Sequence, residues 1–390
     1  MVTDRRRKIL PALAALLLLL LVAFLYSPLQ LHLHAASLLL DLEPEKRPGW
    51  LPRIPGYAVR VQQLPAAADP DIGRTRLYLP GDREGVPGVV LVHGIHRLGI
   101  DEPRLAAFAH SLAAVGVAVS TPEMTELTEY RIEESTVTAI GSAAAAMARH
   151  TEYRTAGVIG ISVAGGLALL AAADPEIGRQ IGFVVCLGTH HDLGRVARYY
   201  AGQSIRDPAG RVYPVTPHPY GPRVLVHSNL TELFAPEDLP AARRVLRTYL
   251  HDQHRLARAR AKELAEPARS RMLALLDHRN RKSIAKALKG VLAKRRAALS
   301  GVSPHGRLSG LQVPVFLLHG SDDPVVPATE TLWLDRELPD RVSSRTLVSP
   351  VLRHAEIGPR ATFWDHWDLI RFVAEMLATA RGQGVKAAVP

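Results

Sequence analysis

The chain has 390 residues, 47% hydrophobic and 22% charged, an ordinary globular composition that excludes a disordered or collagen-like polymer. A single cysteine, Cys186, excludes an internal disulfide framework, and its place in an apolar run reads as a buried core thiol. The net charge of +11 is concentrated in residues 241–300, where 17 basic residues face 4 acidic ones, leaving the rest of the chain near −2.

In chain order, four adjacent cations, Arg5 to Lys8, precede an apolar run from Ile9 to Tyr26. That run is about 27 Å long as a helix, enough to cross the hydrocarbon core, and the basic flank orients it with the remainder outside the cytoplasm. Residues 1–30 therefore read as an uncleaved signal anchor, or as a secretory signal if cleaved after the small residues of Leu-His-Leu-His-Ala-Ala-Ser. Residues 31–56 read as a linker on the strength of the proline- and charge-rich stretch 43–56. Strands at 57–63 and 74–79 follow as an antiparallel opening pair.

From Pro87 the pattern alternates: strands at 88–94, 116–120, 156–162 and 181–188, with helices at 101–115, 131–150 and 163–173. Such alternation implies an α/β fold, a mostly parallel doubly wound sheet with helices on both faces. It stops at 188 and resumes with a strand at 313–320, helix 328–338, strand 344–350 and helix 362–380. The gap is too long for one crossover connection. Residues 190–310 are thus an insertion, mostly helical and basic, dividing a core of residues 57–189 and 311–390.

The third strand of the alternation ends in Gly-Ile-Ser-Val-Ala-Gly-Gly, residues 160–166. A Gly-x-Ser-x-Gly turn between strand and helix exposes a serine hydroxyl at the carboxyl end of a sheet, and the next amide, here of Val163, can face a developing oxyanion. Ala164 replaces the last glycine of that pattern. A phosphate loop would need a lysine, and a dinucleotide fingerprint would follow the first strand. Downstream, His-Gly-Ser-Asp-Asp-Pro follows the strand after the insertion, where Asp323, with Asp322 as the alternative, could hold an imidazole. His354 lies beyond the next strand. Ser162, Asp323 and His354 keep the order serine, acid, histidine.

These four motifs (Val-Leu-Val-His-Gly-Ile-His at 90–96, the serine turn, the Asp323 turn and Arg-His-Ala-Glu at 353–356) resemble those of the α/β-hydrolase superfamily. The resemblance covers about residues 57–190 and 310–380. It implies an α/β-hydrolase fold with a helical cap inserted after strand 6, and a second oxyanion amide at Ile95, with His96 the alternative. It also implies a serine hydrolase acting on small-molecule carboxylic esters without cofactor or metal. Thioesterase, peptidase and acyltransferase chemistry use the same triad, and a membrane-tethered binding module without catalysis is a reading of another class.

Among other histidines, His366 sits at helical spacing between tryptophans, and His93 and His319 precede glycines at strand ends, where backbone contacts suit them. His190, His191 and Asp192 are ligand types for a metal, but adjacent side chains diverge on extended chain, and a place on the pocket rim suits them better. The basic segment 241–300 reads as a solvated face or as a contact for anionic lipid headgroups near a membrane anchor. Nucleic-acid binding has no accompanying motif.

Overall fold

The computed structural model of the protein describes residues 16–18, 27–42, 56–65, 69–213, 215–277, 280–353, 356–357 and 361–382. Eight strands form one sheet: β1 (Val59–Leu64), β2 (Ile72–Pro80), β3 (Gly88–Val92), β4 (Ala118–Met124), β5 (Ala156–Ile161), β6 (Ile181–Leu187), β7 (Val315–Gly320) and β8 (Ser344–Ser349). Their order is β1-β2-β4-β3-β5-β6-β7-β8. β1 and β2 pair antiparallel, as do β2 and β4, while every other neighbouring pair is parallel. This is the strand order of the α/β-hydrolase fold, as the motif resemblance implied. All five residues of β3 and all six of β7 are buried, which is why these strands read as unbroken apolar runs.

Among the described residues, the α-helices of six or more residues are α1 (Ser27–Leu42), α2 (Pro103–Ala114), α3 (Ser135–Thr151), α4 (Val163–Ala173), α5 (Leu193–Tyr200), α6 (Tyr220–Ser228), α7 (Leu239–Leu250), α8 (His254–Lys262), α9 (Ala268–Leu276), α10 (Arg281–Lys294), α11 (Arg296–Gly301), α12 (Thr329–Glu337) and α13 (Phe363–Gly382). Glu102 starts α2 by accepting the Leu105 amide at 2.8 Å, with Pro103 in the first turn. One face of the sheet packs on α3 and α4, and the other on α1, α2 and α13. Helix α4 is buried all round, so its sequence of alanine, glycine and leucine has no polar face. Helices α5 to α11 occupy the stretch between β6 and β7, together with a short ladder pairing Ile205–Arg206 with Val212–Tyr213.

The N-terminus differs from the sequence reading. The expected membrane span at 9–26 lies outside the described residues apart from Leu16 to Leu18. Among the described residues no helix is long and apolar enough to cross a membrane. Residues 31–42, read as linker, belong instead to α1. Leu31, Ala35 and Leu38 are spaced along one side of that helix and buried against α13. Arg381 of α13 donates to His34 Nδ1 at 2.9 Å, and Trp367 stacks on His32 at 5.6 Å.

Candidate active site

Ser162 sits between the last residue of β5 and the first of α4. Its backbone adopts φ 55° and ψ −128°, a region that costs a residue with a side chain about 1–3 kcal/mol. Missing side chains make that turn possible. A Cβ on Gly160 would lie 2.5 Å from the Cα of Gly165, and one on Gly166 would lie 2.4 Å from the ring of His190. Ala164 is fully buried, so the extra methyl that departs from the motif is accommodated. Val163 opens α4, and a first-turn amide has no acceptor within its own helix. The partial positive charge of the helix end adds to that amide's field. The Ser162 amide donates to Leu187 O at 2.7 Å, tying the turn to the end of β6.

The turn after β3 lies against the serine: a Cβ on Gly94 would be 3.3 Å from the Cβ of Ser162. Ile95 follows, and its carbonyl accepts the Tyr220 hydroxyl of α6 at 2.8 Å. Asp323 is fully buried after β7, whereas Asp322 is exposed. The Asp323 Oδ1 accepts the amides of Val325 at 2.7 Å and Val326 at 3.0 Å, which fixes the carboxylate plane. Ser162, Val163, Ile95 and Asp323 all line one cavity of about 1220 Å³. His354 lies outside the described residues. The chain reaches the cavity wall at Leu352, and Leu352–Arg353 pairs antiparallel with Glu356–Ile357 on either side of it.

The other histidines have assigned bonds. His93 borders the cavity, but its Nε2 accepts the Met124 amide at 3.0 Å, so Nδ1 carries the proton and donates to Gly94 O at 2.7 Å. Burial lowers its pKa and keeps the ring neutral. His319 is fully buried, bonded to Thr331 Oγ1 at 2.7 Å and Val326 O at 2.9 Å, as backbone-supporting histidines are. His366 turns its Nδ1 to Thr362 O at 2.7 Å on an exposed turn of α13.

His190 and His191 part company, as adjacent side chains do. His190 borders the cavity and bonds Val302 O at 2.9 Å through Nε2. His191 meets His305 and Glu337, a set with metal-ligand chemistry: His191 Nε2 is 2.5 Å and His305 Nδ1 is 3.0 Å from Glu337 Oε2. Arg195 decides against a metal there. Its guanidinium can only donate, and it donates to His191 Nδ1 at 2.8 Å. The proton of His191 is therefore on Nε2, pointing at Glu337, where a metal would need a lone pair.

Cavity residues on α6 and on α1 escaped the sequence reading. Tyr220 bonds a residue 125 positions away, a contact without any local signal. Leu38, Leu39 and Leu42 of α1 also line the cavity, although they belong to a segment read as linker.

No protein-family model matches the chain, and no curated protein does. Solved structures match the chain at low identity and low TM-score. Brefeldin A esterase, a bacterial homologue of human hormone-sensitive lipase, is 14% identical, with 92% of this chain and 86% of that one covered and a TM-score of 0.45. A puromycin-hydrolysing peptidase of Mycobacterium tuberculosis is 15% identical, covering 87% and 41%, with a TM-score of 0.45. The 2-hydroxy-6-oxo-6-phenylhexa-2,4-dienoate hydrolase of Rhodococcus sp. strain RHA1 is 16% identical, covering 82% and 99%, with a TM-score of 0.42. The fold assignment rests on the strand order.

Proposed function

We propose that this chain is a serine hydrolase that cleaves carboxylic esters through an acyl-enzyme. The observation that carries the reading is the strained backbone of Ser162, at a strand–helix turn that borders the same cavity as the buried Asp323. In this reading His354 takes the Ser162 proton as Oγ attacks the ester carbonyl. The amides of Val163 and Ile95 receive the oxyanion, and Asp323 holds the imidazole and its cation. The alcohol leaves with the proton from His354. Water, deprotonated by His354, then attacks the acyl-enzyme, releasing the acid and restoring the serine. His93, which borders the cavity, accepts the Met124 amide and is not a free base, which supports His354.

Anchoring by residues 9–26, with the catalytic domain outside the cytoplasm and the basic stretch 241–300 near anionic headgroups, belongs to the same proposal. Its support is the apolar run behind four cations. The test of the chemistry is turnover of matched ester, thioester and amide substrates by the full chain and by Ser162→Ala. Ester cleavage that the variant loses supports the proposal. Preference for the thioester or amide would move the chain to a thioesterase or peptidase, and no turnover of any of them would leave a binding module.

A further inference from the structure

The cavity is larger than a small ester needs. Its 1220 Å³ exceeds the roughly 300–1,000 Å³ of pockets that enclose drug-sized ligands. The side of it bounded by α1, α2 and α13 forms its apolar lobe. Leu38, Leu42, Phe108, Phe372, Val373 and Met376 line that lobe, and none of them has a polar group. Leu38, Phe372, Val373 and Met376 are buried, whereas Leu42 and Phe108 are partly exposed and mark its outer end. This apolar side suits a hydrocarbon chain, while the charged residues that border the cavity at the start of α2, Glu102 and Arg104, engage each other at 2.8 Å. Helix α1 cannot be a loose tether, since Arg381 and Trp367 hold it to α13.

We infer that α1 is a wall of the acyl site, and that the substrates are esters of long-chain fatty acids whose chain lies between α1, α2 and α13. The inference rests on the ester-hydrolase reading for its chemistry, but the lobe can be tested without turnover. Each buried methylene is expected to raise kcat/KM up to about fourfold, the equivalent of about 0.8 kcal/mol.

The test compares p-nitrophenyl acetate, octanoate and palmitate on the full chain, on Leu39→Trp and Leu42→Trp, and on Leu39→Ala and Leu42→Ala. The unaltered chain should favour octanoate at least about 100-fold. The tryptophans, which fill the lobe, should cut that ratio at least tenfold, and the alanines should move the optimum to longer chains. In parallel, Ser162→Ala should bind the fluorescent fatty acid cis-parinaric acid, release it to palmitate, and bind it at least tenfold more weakly with either tryptophan added. An octanoate-to-acetate ratio near one, or parinaric binding untouched by both tryptophan changes, overturns the inference. Should the chain cleave no ester at all, the ester-hydrolase reading fails and parinaric binding alone decides the lobe.

Discussion

The Tyr220 hydroxyl on α6 donates to Ile95 O at 2.8 Å, so a helix from the stretch between β6 and β7 holds the turn that follows β3. In a trans peptide the carbonyl and the following amide point in opposite directions. Pinning Ile95 O therefore sets the direction of the His96 amide and steadies that of Ile95, the two candidate oxyanion donors. Tyr220→Phe keeps the ring and loses only this bond. We expect kcat to fall about tenfold with KM within about twofold, since the turn serves the transition state more than the bound ester. A change in KM alone would make Tyr220 a simple contact residue.

Close packing at the serine turn predicts a contrast between two glycines. Gly160→Ala forces a methyl into the backbone of Gly165, 2.5 Å away, so it should cost more than about 2 kcal/mol and abolish activity. Gly290 lies within α10, where an added methyl would meet nothing within 4 Å, so Gly290→Ala should stabilise by about 0.5–1 kcal/mol. Urea unfolding of both variants checks the pair.

A third expectation concerns acid. His227 is fully buried, its Nε2 has no partner, and desolvation lowers its pKa to about 4. The unfolded chain takes up this proton near pH 6.5, and the folded chain does so only near 4. The folded state is thus unpenalised above pH 6.5 and loses up to about 3 kcal/mol as pH falls from 6.5 to 4. Burial of His93 and His190 acts in the same direction. His227→Phe should match the parent at pH 7 and show a shallower loss between pH 6.5 and 4 in denaturant titrations. An unchanged slope would remove His227 from the account.

The assignment of the base gives a fourth. His354→Ala and Asp323→Asn should each lower kcat at least about 1,000-fold, whereas His366→Ala should keep most of the activity because its ring serves Thr362. Initial rates on one ester under saturation decide it, and a dead His366→Ala beside an active His354→Ala reverses the assignment.

The sheet and the serine turn were legible because their signals are local. Parallel strands covered on both faces read as apolar runs, as β3 and β7 do, and a serine between glycines marks a tight strand–helix turn. The stretch between β6 and β7, where the alternation stops in the sequence, holds helices α5 to α11. Helix α1 was hidden because its leucines continue the apolar run before them, and the proline signal at Pro44 suggested a linker around it. What Leu38 packs against depends on α13, more than 300 residues later, and no periodicity records that. The bonds of Tyr220 to Ile95 and of His191 to Glu337 span 125 and 146 positions, so they too exist only in the fold.

A nucleophilic Ser162 forms a covalent adduct with an electrophilic phosphonate. The most direct measurement is mass spectrometry of the full chain after treatment with a fluorophosphonate, before and after proteolysis. One adduct per chain is expected, on the peptide containing Ser162, absent from Ser162→Ala and greatly slowed in His354→Ala. Labelling spread over other serines, or none in a protein that is folded, would contradict it.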